Sequence, residues 1–219
     1  MSHFTIIRVL YPFTVLIVFL VSLTSFSRGW PKHLRIFSAL LGCTLLVELN
    51  SLFRIVTSAW STFVLYNAFI FIEFMCYAAY YLCVLRLRRV RALIKGFFIG
   101  YPIIWGASIA ATGIYRFNSY PFLVGSLFTV ILSIAYYYQL ITASDDIRLR
   151  THPEFWIATG LILFYASYLP AYSTSEVLFK ISTEVLNDLF LMAQSVSLIM
   201  YATFLMAFLC KLTTPRSSS

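Results

Sequence analysis

Seven apolar stretches, each long enough to cross a lipid bilayer, occupy most of this 219-residue chain. A helix that spans the hydrocarbon core needs about 20 mostly apolar residues. Because lipid cannot hydrogen-bond exposed backbone groups, apolar stretches of this length cross a membrane as helices. The seven predicted segments are residues 6–26, 34–53, 62–85, 92–112, 121–141, 155–172 and 185–210.

The composition leaves little room for anything besides these segments. Only 11% of the residues are charged and 61% are hydrophobic, whereas soluble domains carry about 25% charged residues. The sequence therefore predicts an all-α integral membrane protein in which residues 1–219 form a single seven-helix transmembrane domain. The first segment is long for the apolar part of a signal peptide and lacks a good cleavage site, so we expect it to span the membrane.

Basic residues predict the orientation of the chain, because short cytoplasmic loops collect Lys and Arg. The side that holds the N-terminus has four of them, Arg8, Arg54, Arg116 and Lys180. The other side has twelve, which are Arg28, Lys32, Arg35, Arg86, Arg88, Arg89, Arg91, Lys95, Arg148, Arg150, Lys211 and Arg216. The N-terminus is therefore predicted outside and the C-terminus inside. The net charge of +8 is explained by topology and membrane lipids rather than by nucleic acid.

Short matches between the two halves of the chain indicate a weak internal repeat. The Tyr-Pro-Phe sequence occurs at residues 11–13, in the first segment, and at residues 120–122, where the fifth segment begins. Leu65-Tyr66-Asn67 occurs near the start of the third segment, and Val185-Leu186-Asn187 begins the seventh. These matches predict a parallel 3+1+3 arrangement with the fourth segment as connector, as in small sugar-type transporters. A bundle without a repeat is the alternative.

Three acidic side chains, Glu48, Glu73 and Asp188, fall inside the predicted segments. Such groups are costly in hydrocarbon and commonly mark functional sites. At 1.5 Å per residue, Glu73 lies roughly 16 Å from the outer end of its segment, near the membrane midplane. Glu48 and Asp188 lie closer to the outer surface by the same count.

Polar residues at helical spacing accompany these acids. Tyr66 and Tyr77 share a face with Glu73, and Asn187 and Gln194 are seven residues apart on the last segment. We therefore predict an outward-opening ligand pocket with Glu73 at its base and Tyr66, Tyr77, Glu48, Asn187, Asp188 and Gln194 along its walls. The alternative is a set of interhelical hydrogen bonds, each contributing about 1 kcal/mol, that only holds the bundle together.

One packing motif is present, and the common catalytic motifs are absent. Gly96 and Gly100 form a GxxxG sequence, which we expect to pack against another helix of the chain, a homodimer through Gly96 and Gly100 being the alternative. The sequence contains neither HExxH nor GxSxG, and we place His3, His33 and His152 in loops or tails. The last segment also lacks a central lysine for retinal. The sequence therefore predicts a protein that is not an enzyme and that holds no metal or cofactor.

Two stretches resemble one protein family. They are the stretch from His152 to Tyr165, which leads into the sixth segment, and Tyr66 to Glu73, in the third. They are similar to sequences in a family of small multi-pass membrane proteins of bacteroidete-type bacteria, whose activity is not established. The resemblance implies genomic proximity to two-component signalling genes, and it implies that Glu73 is the family's intramembrane glutamate. Chain length and helix number are also similar to the seven-helix sugar carriers, but the proline-glutamine signature of those carriers is missing.

These observations favour a protein of the bacterial inner membrane that senses a small ligand and signals through its basic inner loops to a cytoplasmic protein partner. The alternative function is a small transporter of the seven-helix carrier type, in which the acid inside the third segment could couple transport to protons. An intramembrane enzyme acting on lipid and a purely structural subunit are the remaining classes.

Overall fold

The computed structural model describes the backbone of residues 3–57, 62–143, 151–179 and 183–213 and the side chains of residues 10–51, 63–143, 151–169 and 191–213. These ranges contain helices and no strand. The helices are α1 (His3–Ser22), α2 (Thr24–Ser27), α3 (Lys32–Thr57), α4 (Thr62–Val84), α5 (Arg88–Thr112), α6 (Ser119–Thr142), α7 (Pro153–Phe179) and α8 (Thr183–Thr213).

The helices confirm the predicted helical segments. Each of the seven segments coincides with one long helix, and α2 is a four-residue continuation of α1 beyond Leu23. Among the described residues, six stretches are long and apolar enough to cross a membrane: Leu10–Ser27, Lys32–Ser51, Phe63–Val84, Arg88–Thr112, Ser119–Thr142 and Leu191–Thr213. The chain is therefore a helical bundle with the properties of a multi-pass membrane protein.

Six of the long helices form a closed ring. In order around the ring they are α1, α3, α4, α6, α7 and α8, and α8 packs against α1 to complete it. Helix α5 lies outside the ring, where it packs against α4 and α6. The large hydrophobic side chains that are exposed are mainly Leu and Ile, as expected for a surface covered by lipid.

The interior of the ring is filled with aromatic side chains. Phe74 of α4 contacts the rings of Tyr77, Phe122 and Tyr165, with centroids 5.6–6.2 Å apart. Gly125 of α6 lies directly against Phe74, and a Cβ atom at this position would overlap the ring. A glycine is therefore required for α6 to approach α4 this closely.

The expectation that Gly96 and Gly100 pack within the chain is wrong. A Cβ atom built on either glycine meets nothing within 4 Å in the described structure. Helix α5 instead uses a different face, with Ile94 and Tyr101 buried and Phe97 stacked on Phe128 of α6. The small residues are left on the outward face because α5 has helix neighbours on one side only.

The two ends of the ring differ in charge. Among the described residues, Lys32, Arg86 and Arg88 are exposed at the end where α3 and α5 begin, together with Arg89, Arg91 and Lys95. We call this the basic end. At the opposite end, Asn67 holds the loop between α5 and α6 by donating from Nδ2 to the carbonyl oxygens of Ile114 and Arg116 at 2.9 and 2.8 Å. Asn67 thus secures this loop.

Candidate functional site

Glu73 lies on the inner face of α4, as its spacing from Tyr77 predicts. Its Oε1 atom accepts hydrogen bonds from the hydroxyl groups of Tyr77, one turn away, and Tyr165 of α7, both at 3.1 Å. Both tyrosines are buried, whereas Glu73 itself retains partial exposure. The carboxyl group therefore connects two helices that are not neighbours in the ring.

The second acid, Glu48, lies on α3 near α1. The Tyr11 hydroxyl of α1 donates a hydrogen bond to Glu48 Oε1 at 3.4 Å, which is at the long limit for such a bond. Glu48 is also close enough to Glu73 for the two carboxyl groups to interact electrostatically. The two acids therefore belong to one polar region.

Tyr201 of α8 links the two acids. Its ring meets the ring of Tyr11 edge-on, with centroids 5.7 Å apart, and its hydroxyl group interacts with both Tyr11 and Thr44. Both Glu48 and Glu73 lie within electrostatic range of the same hydroxyl group. The result is a band of carboxyl and phenol groups across the ring, contributed by α1, α3, α4, α7 and α8.

The remaining predicted site residues lie around this band or outside the described side chains. Tyr66 is close enough to Tyr11 and Tyr168 for their hydroxyl groups to interact, so it faces the same interior. The Oε1 atom of Gln194 is buried without a hydrogen-bond partner among the described groups. The side chains of Asn187 and Asp188 lie outside the described residues, so their predicted place in the pocket stays a prediction.

The sequence around the two acids on α3 and α4 carries few basic residues. Along the sequence, no Lys or Arg occurs between Arg35 and Arg54 on α3 or between Arg54 and Arg86 across α4. Burial disfavours a charged carboxylate, and donated hydrogen bonds favour it. This arrangement suits groups that take up a proton or meet a ligand with hydrogen-bond donors.

A second cluster of titratable groups lies at the basic end. His33 of α3 and Glu154 of α7 are joined by a 2.8 Å contact between Nε2 and Oε1, and both side chains are mostly buried. His3 lies in α1 and His33 lies in the first turn of α3, so the prediction that these two histidines are in loops or tails is wrong. His152 precedes α7, as predicted.

Glu154 precedes the predicted sixth segment, and its environment favours the charged form. Burial alone would raise the pKa of its carboxyl group. The hydrogen bond with His33, a backbone hydrogen bond within Glu154 and the electrostatic attraction of His33 and His152 outweigh this effect, so the pKa lies below its usual value. The sequence offered one signal for this pair, since His33 and Glu154 each occupy the first turn of a long helix at the same end.

Sequence reasoning also left three tyrosines out of the predicted site. Tyr165 and Tyr201 fall on polar stripes that the spacing reveals, and Tyr201 lies seven residues after Gln194. The hydrogen bond from Tyr11 to Glu48 joins residues 37 positions apart, and no local pattern predicts it.

Comparisons with known proteins give no match: no family model matches the chain, and neither curated proteins nor solved structures yield one. The resemblance to the bacteroidete-type family stays a prediction.

Proposed function

We propose that the chain is a membrane-embedded sensor that binds a small ligand in the ring interior at Glu73. The observation that carries this proposal is the position of the Glu73 carboxyl, held between tyrosine hydroxyls of α4 and α7 at the centre of a closed ring. A ligand that competes for these hydroxyl groups would change the contact between two helices that are not ring neighbours. Such a change is a physical route from ligand binding to helix movement.

The basic end suggests both the orientation of the chain in the membrane and the surface that passes on the signal. We propose that this end faces the bacterial cytoplasm, because cytoplasmic loops collect basic residues. Its exposed Arg and Lys side chains would then contact anionic lipid headgroups and a signalling protein partner. Gly96 and Gly100, where an added Cβ atom would meet nothing within 4 Å, support a second proposal, a homodimer in which small residues of two α5 helices meet.

The test uses the detergent-solubilised full chain and a library of small metabolites, with the rise in melting temperature as the measure of binding. Compounds that stabilise the parent should fail to stabilise Glu73→Gln, and Tyr165→Phe should show an intermediate response because it removes one donor. Tyr138→Phe is the matched control, since Tyr138 is 60% exposed on α6. The proposal fails if Glu73→Gln remains folded and responds to every compound as the parent does.

A transporter is the second candidate, and the closed ring with acids in its interior favours it. A buried carboxyl that exchanges a proton can couple proton movement to that of a solute. Counterflow in proteoliposomes, using compounds from the thermal screen, separates the two functions. A sensor binds the compound without moving it, whereas a carrier accumulates labelled compound against the unlabelled pool.

A further inference from the structure

The contact between His33 and Glu154 crosses the whole ring. In the order α1, α3, α4, α6, α7, α8, the helices α3 and α7 are three places apart, so they lie opposite each other. Their first turns are joined by a single 2.8 Å contact between side chains 121 residues apart in sequence. The side chains of the pair are only 15% and 19% exposed, so the contact lies within the mouth of the ring rather than on its rim.

A layer of aromatic rings lies between this pair and Glu73. Phe37, one turn after His33 on α3, contacts Tyr77 and Tyr80 of α4, with centroids 6.2 and 5.5 Å apart. It also meets Phe204 of α8 edge-on at 4.8 Å. His33 rests on the Tyr80 ring at 5.8 Å, so the ion pair and the aromatic layer are in contact.

The groups around Glu154 come from every helix that packs near it. They are His33 of α3, Tyr80 of α4, Tyr136 of α6, His152 before α7 and Cys210 of α8. The Tyr80 hydroxyl is buried and has no hydrogen-bond partner among the described groups. It provides a second donor close to Glu154 when His33 moves away, so the acid keeps a polar neighbour in a state in which the pair is broken.

We infer that the His33–Glu154 pair is a latch that closes the basic end of the ring, and that the interior beneath it becomes accessible from that end only when the pair separates. The latch joins two helices that are not neighbours in the ring, so it contributes to closure of the ring rather than to the packing of adjacent helices. This inference does not depend on the identity of any ligand at Glu73.

Ala158 provides a reporter position for the latch. It is fully buried and lies four residues after Glu154, on the same face of α7. The four native cysteines are first replaced by serine, and Ala158→Cys is then introduced as the one thiol. Membrane vesicles of both orientations are treated with a membrane-impermeant maleimide. Lys32→Cys, at an exposed position beside His33, identifies the preparation in which the basic end faces the reagent.

With the latch intact, Ala158→Cys should react slowly from the basic end, because a buried thiol is shielded from reagent. Adding Glu154→Gln or His33→Ala should raise the rate about tenfold, which corresponds to about 1.4 kcal/mol of closure. The exchanged pair, His33→Glu with Glu154→His, should restore slow labelling. Lys32→Ala is the matched control and should leave the rate unchanged.

Three outcomes overturn the latch. One is an unchanged rate in both single variants while circular dichroism shows normal helix content. Another is an equal increase with Lys32→Ala, which would indicate general loosening of the bundle. The third applies if the single variants fail to fold. It is fast labelling of Ala158→Cys in a folded exchanged-pair variant, because that variant keeps both the imidazole and the carboxyl group. None of these outcomes bears on ligand binding at Glu73, which the thermal screen tests separately.

Discussion

Two glutamates of this protein are held by different kinds of hydrogen-bond donors. Glu73 accepts hydrogen bonds from neutral phenol hydroxyls, which can also accept a hydrogen bond or turn to another partner. Glu154 faces an imidazole, which carries a full charge when protonated and strengthens the bond. The first arrangement is suited to exchange of partners, and the second to a fixed contact between helices.

The environment of Glu154 predicts a pH dependence of stability. Because the pKa of Glu154 is lowered in the folded protein, its contribution is present above the unfolded pKa of about 4.3 and is lost as the pH falls through the lower folded value. The parent should melt at a higher temperature than Glu154→Gln between about pH 5 and 6, and the difference should shrink below about pH 4.

Thermal unfolding in detergent between about pH 3 and 6 measures this difference. In the His33→Ala background the same Gln substitution should have a smaller effect, because the main partner of Glu154 is absent. A difference that grows on acidification would contradict the assigned direction of the pKa.

At the scale of helices, glycine determines how closely neighbours approach. Gly125 brings α6 against Phe74 of α4, and Gly160 of α7 lies directly against Thr203 of α8. Gly96 and Gly100 on α5 have the same chemistry and no neighbour within 4 Å. The role of each glycine therefore depends on whether its helix face meets a neighbouring helix.

These positions predict opposite effects of one substitution. Gly125→Ala should lower the unfolding free energy by about 1–3 kcal/mol, because the added methyl group overlaps a ring that is itself enclosed by other rings. Gly100→Ala should leave stability unchanged or raise it by up to about 1 kcal/mol, because alanine favours helix and meets no atom there. Chemical denaturation in mixed micelles measures the unfolding free energy of both variants. Equal decreases in the two variants would contradict the close contact between Gly125 and Phe74.

The parts of the fold and of the candidate site that the sequence predicts are those that depend on local patterns. Hydrophobic runs gave all seven long helices, and residue spacing put Glu73, Tyr77 and Tyr66 on one face, because helical geometry is repetitive. The partners across the ring, such as Tyr165 for Glu73 and His33 for Glu154, depend on helix order in space. The outward direction of Gly96 and Gly100 also depends on that order, and periodicity does not encode it.

For the whole molecule, helix order separates interior from exterior. Closure of the ring by α8 against α1 surrounds the acids with protein on all sides in the membrane plane. The exchange of solvent, protons or ligand with this interior therefore occurs along the ring axis. This geometry makes the two ends, rather than the lipid-facing surface, the places where access is controlled.

Orientation is a testable property of the whole chain. We expect alkaline phosphatase to be inactive when fused after Leu87, at the basic end, and active when fused after Tyr115, at the opposite end. The enzyme requires disulfides that form outside the cytoplasm, so its activity reports the compartment of the fusion point. Activities in the reverse pattern would invert the proposed orientation.

The position of α5 has a practical consequence for handling the molecule. Leu93, Ile99 and Ile103 are at least 61% exposed on a helix that contributes no wall to the enclosed space. A fluorophore, tether or crosslinker attached there would be carried by a helix that two ring members support from one side. Distance measurements and surface immobilisation could thus be made from this helix while the acid-bearing interior keeps its native packing.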